Sequence, residues 1–452
     1  MVNQTGTSLK TLKREKTMNV TNSRLSRLLT LLCALTAPLS LEAAPNPTAY
    51  NITDLGTLGG TFSQAFSINN NGSVVGFATL PGDTALHAFL WRSGVMTDLG
   101  TLGGPLSQAT HVNDRDEVVG FSETSAPDPL GEDFCGFGDH LVCLPFVWRA
   151  GVMTPLPALG GTNGIALSIN SRGEVLGISE NSIADPTCVP PQVLQFKPVI
   201  WHKMKIEELP TFPGDPDGGV GAINDAGEAT LPTGNCVSIG PPTGHDSLLR
   251  HGILTDFGSF EGLGIAANDI NNKGQVAGVT VGPSPFGFSD VQAVLWQDGV
   301  ASGLGFLPGD VVSTDSAISD TGQIVGQSIE PNGNIRGFVW RDGVMSALDT
   351  LIPADSTLGP FDPGGINSRG QIVGTAFVKG TCVNGPPNVN GVNCELHAFL
   401  LTPTNTEAVG QNALAPPNNV SESRKVVISE SVRKALQRRP VSRRDHIPGM
   451  GS

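Results

Sequence analysis

Charge is scarce in this 452-residue chain, in which Asp, Glu, Lys and Arg make up only 15%. Positive charge is scarcer still in its body: residues 45–401 hold 13 Lys and Arg against 35 Asp and Glu, a net charge of −22. Such a body repels nucleic acid phosphates and anionic membrane surfaces, so neither is an expected partner. No stretch of ten or more residues in the body shows 3.6-residue apolar periodicity, which excludes helical repeats and bundles. Beyond the N-terminal region no segment approaches transmembrane length, so no membrane span is expected in the mature chain. No Cys-x-x-Cys spacing marks a zinc site. His-Glu-x-x-His, Gly-x-Ser-x-Gly, a Walker loop and a Rossmann fingerprint are all missing. Ser431 and Lys434 have Ser-x-x-Lys spacing, but in a charged tail after the repeats this is coincidence.

Glycine and proline are abundant instead, at 57 and 34 residues, which with 39% apolar residues suits many short strands joined by tight turns. The N-terminal region is different in kind. Basic Lys10, Lys13, Arg14, Lys16, Arg24 and Arg27 precede an apolar run, Leu28 to Leu41, and then small Ala43 and Ala44. That order reads as a secretory signal peptide over residues 1–44, with Met18 as an alternative start and an uncleaved anchor as the alternative reading. The run is short for a bilayer and Pro38 interrupts it, and Cys33 follows Leu32, which argues against a lipoprotein signal. An extracellular, periplasmic or cell-surface location follows. Six cysteines then remain, Cys135, Cys143, Cys188, Cys236, Cys382 and Cys394, an even number that favours disulfides in an exported chain.

Self-comparison gives the strongest signal. A unit of Ile or Val, Asn, two residues, Gly and a Val-rich run reads Ile68-Asn69-Asn70-Asn71-Gly72-Ser73-Val74-Val75-Gly76 in its clearest copy. The Asn position recurs seven times, at Asn69, Asn113, Asn170, Asn224, Asn271, Ser319 and Asn367. Each copy carries a second landmark, such as Phe89-Leu90-Trp91 or Phe338-Val339-Trp340, and all five tryptophans sit there. Copies four and seven have Arg250 and Leu401 instead, so this position packs and does no indole chemistry. A two-residue turn such as Asp298-Gly299 and a closing run such as Asp98-Leu99-Gly100-Thr101-Leu102-Gly103-Gly104 complete the unit. The glycines supply the positive φ of hairpin turns, and the Asn can bond its own turn backbone. Four strands follow per unit, over 63–68, 73–79, 87–92 and 95–98 in the first copy. The expected fold is all-β: a seven-bladed β-propeller of four-stranded antiparallel blades over residues 45–401.

His87-Ala88-Phe89-Leu90-Trp91 with Asp98-Leu99-Gly100-Thr101-Leu102-Gly103-Gly104 resembles the HAF-repeat extracellular proteins. The resemblance covers residues 50–401 and recurs at His397-Ala398-Phe399-Leu400, whereas Leu144-Pro145-Phe146, Lys197-Pro198-Val199, Gln292-Ala293-Val294 and Arg336-Gly337-Phe338 depart from it. It implies export and a propeller-like body, and no particular ligand or activity.

Three arrangements follow from the repeat. The chain enters at Tyr50-Asn51-Ile52-Thr53-Asp54, which matches a fourth strand, and leaves at Phe399-Leu400-Leu401, a third strand; the N-terminal strand should therefore complete the last blade and close the ring. Length varies mainly between second and third strands, at 123–144, 179–197, 231–246 and 375–396, and variable loops on a rigid scaffold carry recognition, so partners are expected on that face. All six cysteines lie in those loops. Cys135 with Cys143 and Cys382 with Cys394 can each staple one loop, and Cys188 with Cys236 can bridge neighbouring blades.

Candidate chemistry is sparse. The residue before the recurrent Ile or Val is small in five copies but is His111 and Asp269 in the other two, which makes these candidate ligand contacts in the central channel, with repeat drift as the alternative. His87 and His397 recur because the repeat recurs. Asp215-Pro216-Asp217-Gly218 opens like a calcium loop without its later acidic ligand, so an ordinary turn is the reading, with surface calcium as the alternative and no other cofactor expected. Residues 402–452 form a basic tail of net charge +4, with one helical pattern at Ile428, Val432, Ala435 and Leu436. The functional expectation is a monomeric, exported binding module for a carbohydrate or protein. An extracellular hydrolase or lyase with a channel site and a structural surface protein are the alternatives.

Overall fold

Each repeat folds as one antiparallel sheet whose strands follow chain order. The computed structural model describes residues 50–404 except 242, 282–290, 384 and 389–393. The expected signal segment and the tail from 405 onward lie outside the described residues. The chain divides into two units, Met1–Asn46 and Pro47–Ser452, and the propeller belongs wholly to the second.

Strand β1 is Tyr50–Asp54, and the first blade is β2 (Ser63–Ile68), β3 (Val74–Thr79), β4 (Leu86–Arg92) and β5 (Val95–Asp98). Seven such sheets are present, and in the last of them β1 lies beside Leu396–Pro403, with Ile52 opposite Leu401. The closure expected from the repeat boundaries is therefore the one the fold uses. It pairs an edge that would otherwise be open. Tyr50 is buried beneath it, and its N–H donates to Leu351 O at 2.8 Å. The fourth and fifth blades each carry one additional two-residue strand, Ser238–Ile239 and Ser259–Phe260.

The glycine that ends each Val-rich run has a steric reason. A Cβ on Gly76 would lie 1.9 Å from Gln64 O, on Gly120 1.9 Å from Gln108 O, and on Gly326 2.0 Å from Thr314 O. Facing each of these glycines, the innermost strand bulges by one residue, between Ala65 and Ser67, Ala109 and His111, and Asp315 and Ala317. The bulge presses the inner backbone against the second strand, and only glycine leaves room. Blade four has Leu231 at this position. There the first strand shrinks to Asp217–Gly218, the expected exception when a side chain occupies that space.

Cores form between blades as well as within them. Val75, Leu90 and Leu99 of blade one pack with Ala109, Val112, Val118 and Phe146 of blade two, all buried. Trp201 is fully buried and donates its Nε1 hydrogen to Pro157 O at 2.8 Å. Among the described residues, no helix is long and apolar enough to cross a membrane.

The segments read as long loops are partly strand. Ladder pairing continues to Pro127 opposite Leu141 in blade two and to Ala184 opposite Leu194 in blade three. Expectation and structure differ here because polar and proline residues interrupt the apolar alternation while the backbone ladder runs on. Three disulfides, Cys135–Cys143, Cys188–Cys236 and Cys382–Cys394, make the pairs expected from loop position.

Candidate functional site

Two ends of the propeller carry different chemistry. At the end of the short Asn-x-x-Gly turns, the recurrent Asn side chains do two things at once. Asn69 Oδ1 accepts the N–H groups of Asn71 at 3.0 Å and Ser73 at 2.9 Å, the expected turn bond. Its amide group meanwhile crosses to the next blade. Asn69 Nδ2 donates to Asn113 O (2.8 Å), Asn113 to Asn170 O (3.1 Å), Asn170 to Asn224 O (3.1 Å), Asn224 to Asn271 O (3.1 Å), Asn271 to Ser319 O (3.0 Å) and Asn367 to Asn69 O (2.9 Å). Ser319 interrupts the circle. Its hydroxyl pairs with Thr321 Oγ1 at 2.8 Å and is too short to play the amide's part. Replacing Ser319 with Asn is expected to supply the missing bond to Asn367 O and raise stability by about 1 kcal/mol, whereas Asn224→Ala should lower it by roughly 1–3 kcal/mol. Urea unfolding midpoints of the two variants check both signs.

Inside this ring the channel mouth has a volume of about 150 Å³, and His111 and Asp269 both line it. Each is also tied to the following blade. His111 Nδ1 lies 3.1 Å from Ile169 O and 3.3 Å from Ile169 N, and Asp269 Oδ2 accepts the N–H of Ile318 at 2.9 Å. Ser168, at the same repeat position, accepts the N–H of Ile223 at 3.3 Å. At His111, Ser168 and Asp269 this position thus joins neighbouring blades.

The histidines of the His-Ala-Phe landmark join neighbouring strands. His87 Nδ1 lies 2.9 Å from both Asp98 carboxylate oxygens, and His397 Nδ1 lies 2.8 Å from Asp54 Oδ2. The hydrogen bond to Asp54 holds the His397 imidazole above its ordinary pKa. Burial works to raise the Asp54 carboxyl, and the bonds from His397 and Gly56 outweigh it and hold that group below its ordinary value. Because Asp54 belongs to β1, this pair is part of the ring closure. The Asp215–Gly218 segment is not the turn expected from its sequence: the chain turns just before it, with Asp215 N donating to Phe212 O, and Asp217–Gly218 is strand because it pairs with the second strand of blade four. Asp215 Oδ2 accepts from Thr233 Oγ1 (2.6 Å) and lies 2.9 Å from His245 Nδ1, while Asp217 Oδ1 accepts the N–H of Phe196 at 3.0 Å. Burial, then the facing Asp185, pushes the Asp217 carboxyl up to about 7.

At the other end, the long hairpins of blades two, three and four are welded into one platform. Cys188–Cys236 ties blade three to blade four, and Cys236 N donates to Thr187 Oγ1 at 3.2 Å. Glu132, from the blade-two loop, is fully buried, and its Oε1 accepts from Gln192 Nε2 (3.1 Å), Val193 N (2.7 Å) and Leu194 N (2.8 Å) of blade three. Asp128 Oδ2 accepts from Thr162 Oγ1 (3.0 Å) and Asn163 Nδ2 (2.9 Å), which fastens the same loop to the blade linker. Glu123 and Glu180 lie buried beneath the platform, under the Gly-Gly turns, where a Cβ on Gly104 or Gly161 would be 2.6 or 2.5 Å from their Cβ atoms. Sequence reading passed over this network. Its one signal was local: Thr79, Val281, Ile329 and Phe377 hold the repeat position that carries Glu123 and Glu180 in blades two and three.

Fold and site together define a seven-bladed β-propeller whose channel mouth is ringed by blade-crossing side-chain amides and whose opposite face carries a disulfide-braced platform. No family model and no curated protein matches the sequence. Among solved structures, the chain is similar to the β-propeller domain of the Trilobed protease from Pyrococcus furiosus, at 10% identity over 63% of this chain and 80% of that one, with a TM-score of 0.42. It is also similar to an oligogalacturonate lyase from Vibrio parahaemolyticus, at 9% identity over 78% of this chain and 93% of that one, with a TM-score of 0.49. A third similarity, to the Pyrococcus horikoshii acylaminoacyl peptidase, has 11% identity and a TM-score of 0.44, covers 72% of this chain and spans 50% of that one. These are likenesses of fold alone.

Proposed function

We propose that this chain is an exported binding module of the HAF-repeat kind, and that its partner is another protein docked on the platform of blades two to four. The observation that carries this reading is the braced platform itself, which holds large aliphatic side chains in water. Leu130, Ile183, Val189 and Val237 are 50%, 56%, 64% and 45% exposed on hairpins that disulfides and buried hydrogen bonds hold in place. Apolar groups kept rigid on an exposed surface favour association, because little ordering entropy is then lost on binding. The exposed large apolar side chains here are aliphatic, and a sugar ring would be expected to stack on aromatic faces instead. Charge adds a local preference. Of the eight Asp and Glu in segments 123–144, 179–197 and 231–246, six are buried and only Asp133 and Asp139 reach the surface, so the complementary surface is apolar with basic groups facing the blade-two loop.

The test is capture of exported proteins on the purified chain, with variants on each face. Leu130→Asp with Val189→Asp is expected to abolish a capture that Val95→Asp with Val152→Asp, at the short-turn end, leaves intact. The reverse pattern would refute the platform as the docking face. Turnover of a polysaccharide or peptide by the purified chain would favour the hydrolase or lyase reading instead.

A further inference from the structure

The platform hides acidic groups in a way that ordinary loop bracing does not require. Both carboxyl oxygens of Glu123 are buried without a hydrogen-bond partner, and so is Glu132 Oε2. Gln192 Nε2 lies 3.1 Å from Glu132 Oε1 and 2.9 Å from Glu180 Oε1, so one amide nitrogen bridges two fully buried carboxyls from different blades. Glu180 Oε2 accepts the N–H of Asn163 at 3.1 Å, and Asn163 in turn donates to Asp128. Glu123 sits against Asp139, with Asp133 of the same loop nearby. Facing groups are thus Glu132, Gln192, Asn163 and Asp128 for Glu180, and Asp139 and Asp133 for Glu123. None of these is a cation.

We propose that the docking platform is closed by protons: one on Glu180, which Gln192 bridges to Glu132 across blades two and three, and one on Glu123 beneath the blade-two loop. Loss of these protons charges buried groups that have no counter-ion, so the loops spanning 128–140 and 185–193 open and the docking face loses its shape. This deepens the binding reading above, as its regulation. A cation in place of the protons fits less well. Calcium takes six to eight oxygens, and among the described residues no three His, Cys, Asp or Glu side chains converge to hold a metal.

The sign follows from the folded environment. Burial first, and then the Asp139 and Asp133 carboxyls, pushes Glu123 from 4.5 up to about 9. Burial and the Glu132 carboxyl likewise push Glu180 upward. Both groups stay protonated in open and closed loops below the ordinary value. Above it only the closed form retains the proton, so closure weakens steadily as pH rises toward about 9.

The experiment is hydrogen exchange of the full mature chain from pH 5 to pH 9, corrected for intrinsic exchange and followed at the amides of Val193 and Leu194. Wild type is expected to lose at least about tenfold in protection, since each pH unit within the window changes the opening equilibrium of one group by roughly that factor. Glu180→Gln and Glu123→Gln mimic the protonated side chains, and each should flatten the profile. Wild-type protection that is independent of pH overturns the proposal. So does a variant profile that parallels wild type, or millimolar calcium restoring protection at pH 9. Exchange needs no partner, so a pH transition seen together with intact binding by the Leu130→Asp, Val189→Asp variant would sink the docking reading and leave the proton lock standing.

Discussion

A chain lacking everything up to Gly56 is expected to lose the single cooperative unfolding transition of the complete propeller. Without β1, the last blade keeps three strands, and the edge of Leu396–Pro403 loses its partner. Tyr50 and Leu55, 1% and 5% exposed in the closed ring, would leave the core. Removing two such side chains forfeits about 3–6 kcal/mol of burial. The backbone ladder goes as well, together with the His397–Asp54 pair, which contributes only between the depressed pKa of Asp54 and the raised pKa of His397. Urea unfolding and sedimentation together check the result. A truncated chain that stays monomeric and unfolds at the same midpoint would show that β1 does not close the ring.

The second large effect is expected from one methyl group. Gly120→Ala places a Cβ 1.9 Å from Gln108 O and 2.9 Å from Phe146 Cζ, and the oxygen belongs to a backbone that the bulge has already pushed inward. Neither neighbour is a flexible side-chain end. Relief requires the inner strand of blade two to move, and a loss of about 3 kcal/mol or more is expected. Gly131→Ala is the control. Its φ of +73° carries the usual strain but its Cβ meets nothing within 4 Å, so about 1 kcal/mol is expected. Equal losses at the two positions would mean that conformational strain, and not the close approach, governs the recurrent glycine. Blade four, where Leu231 stands in that place beside a first strand of only two residues, is the natural form of the same experiment.

Much of the ring was legible because each blade repeats the same local problem. The first-copy expectations at 63–68 and 95–98 coincide with β2 and β5, since Asn-x-x-Gly and x-Gly turns mark strand ends within a few residues of themselves. Cys188 with Cys236 was legible for a related reason: matching loops of neighbouring blades come close once the ring is assumed. The blade-crossing amides were hidden. Asn69 reads as a turn residue, and its turn bond is real, but its second partner is 44 residues away at Asn113 O. The platform was also hidden, because Glu132 and Gln192 are 60 residues apart and each looks like an ordinary polar loop residue.

By itself the sequence determined the number of blades, the strands within them and the closure by β1, because alternation, turns and termini are local facts that a repeat states seven times. Only the tertiary structure decided which polar side chains join blades, why Gly120 must stay small and which carboxyls lie buried under the platform. Those outcomes depend on the approach of backbones distant in the chain, and at such contacts a difference of about an ångström separates a hydrogen bond from a collision.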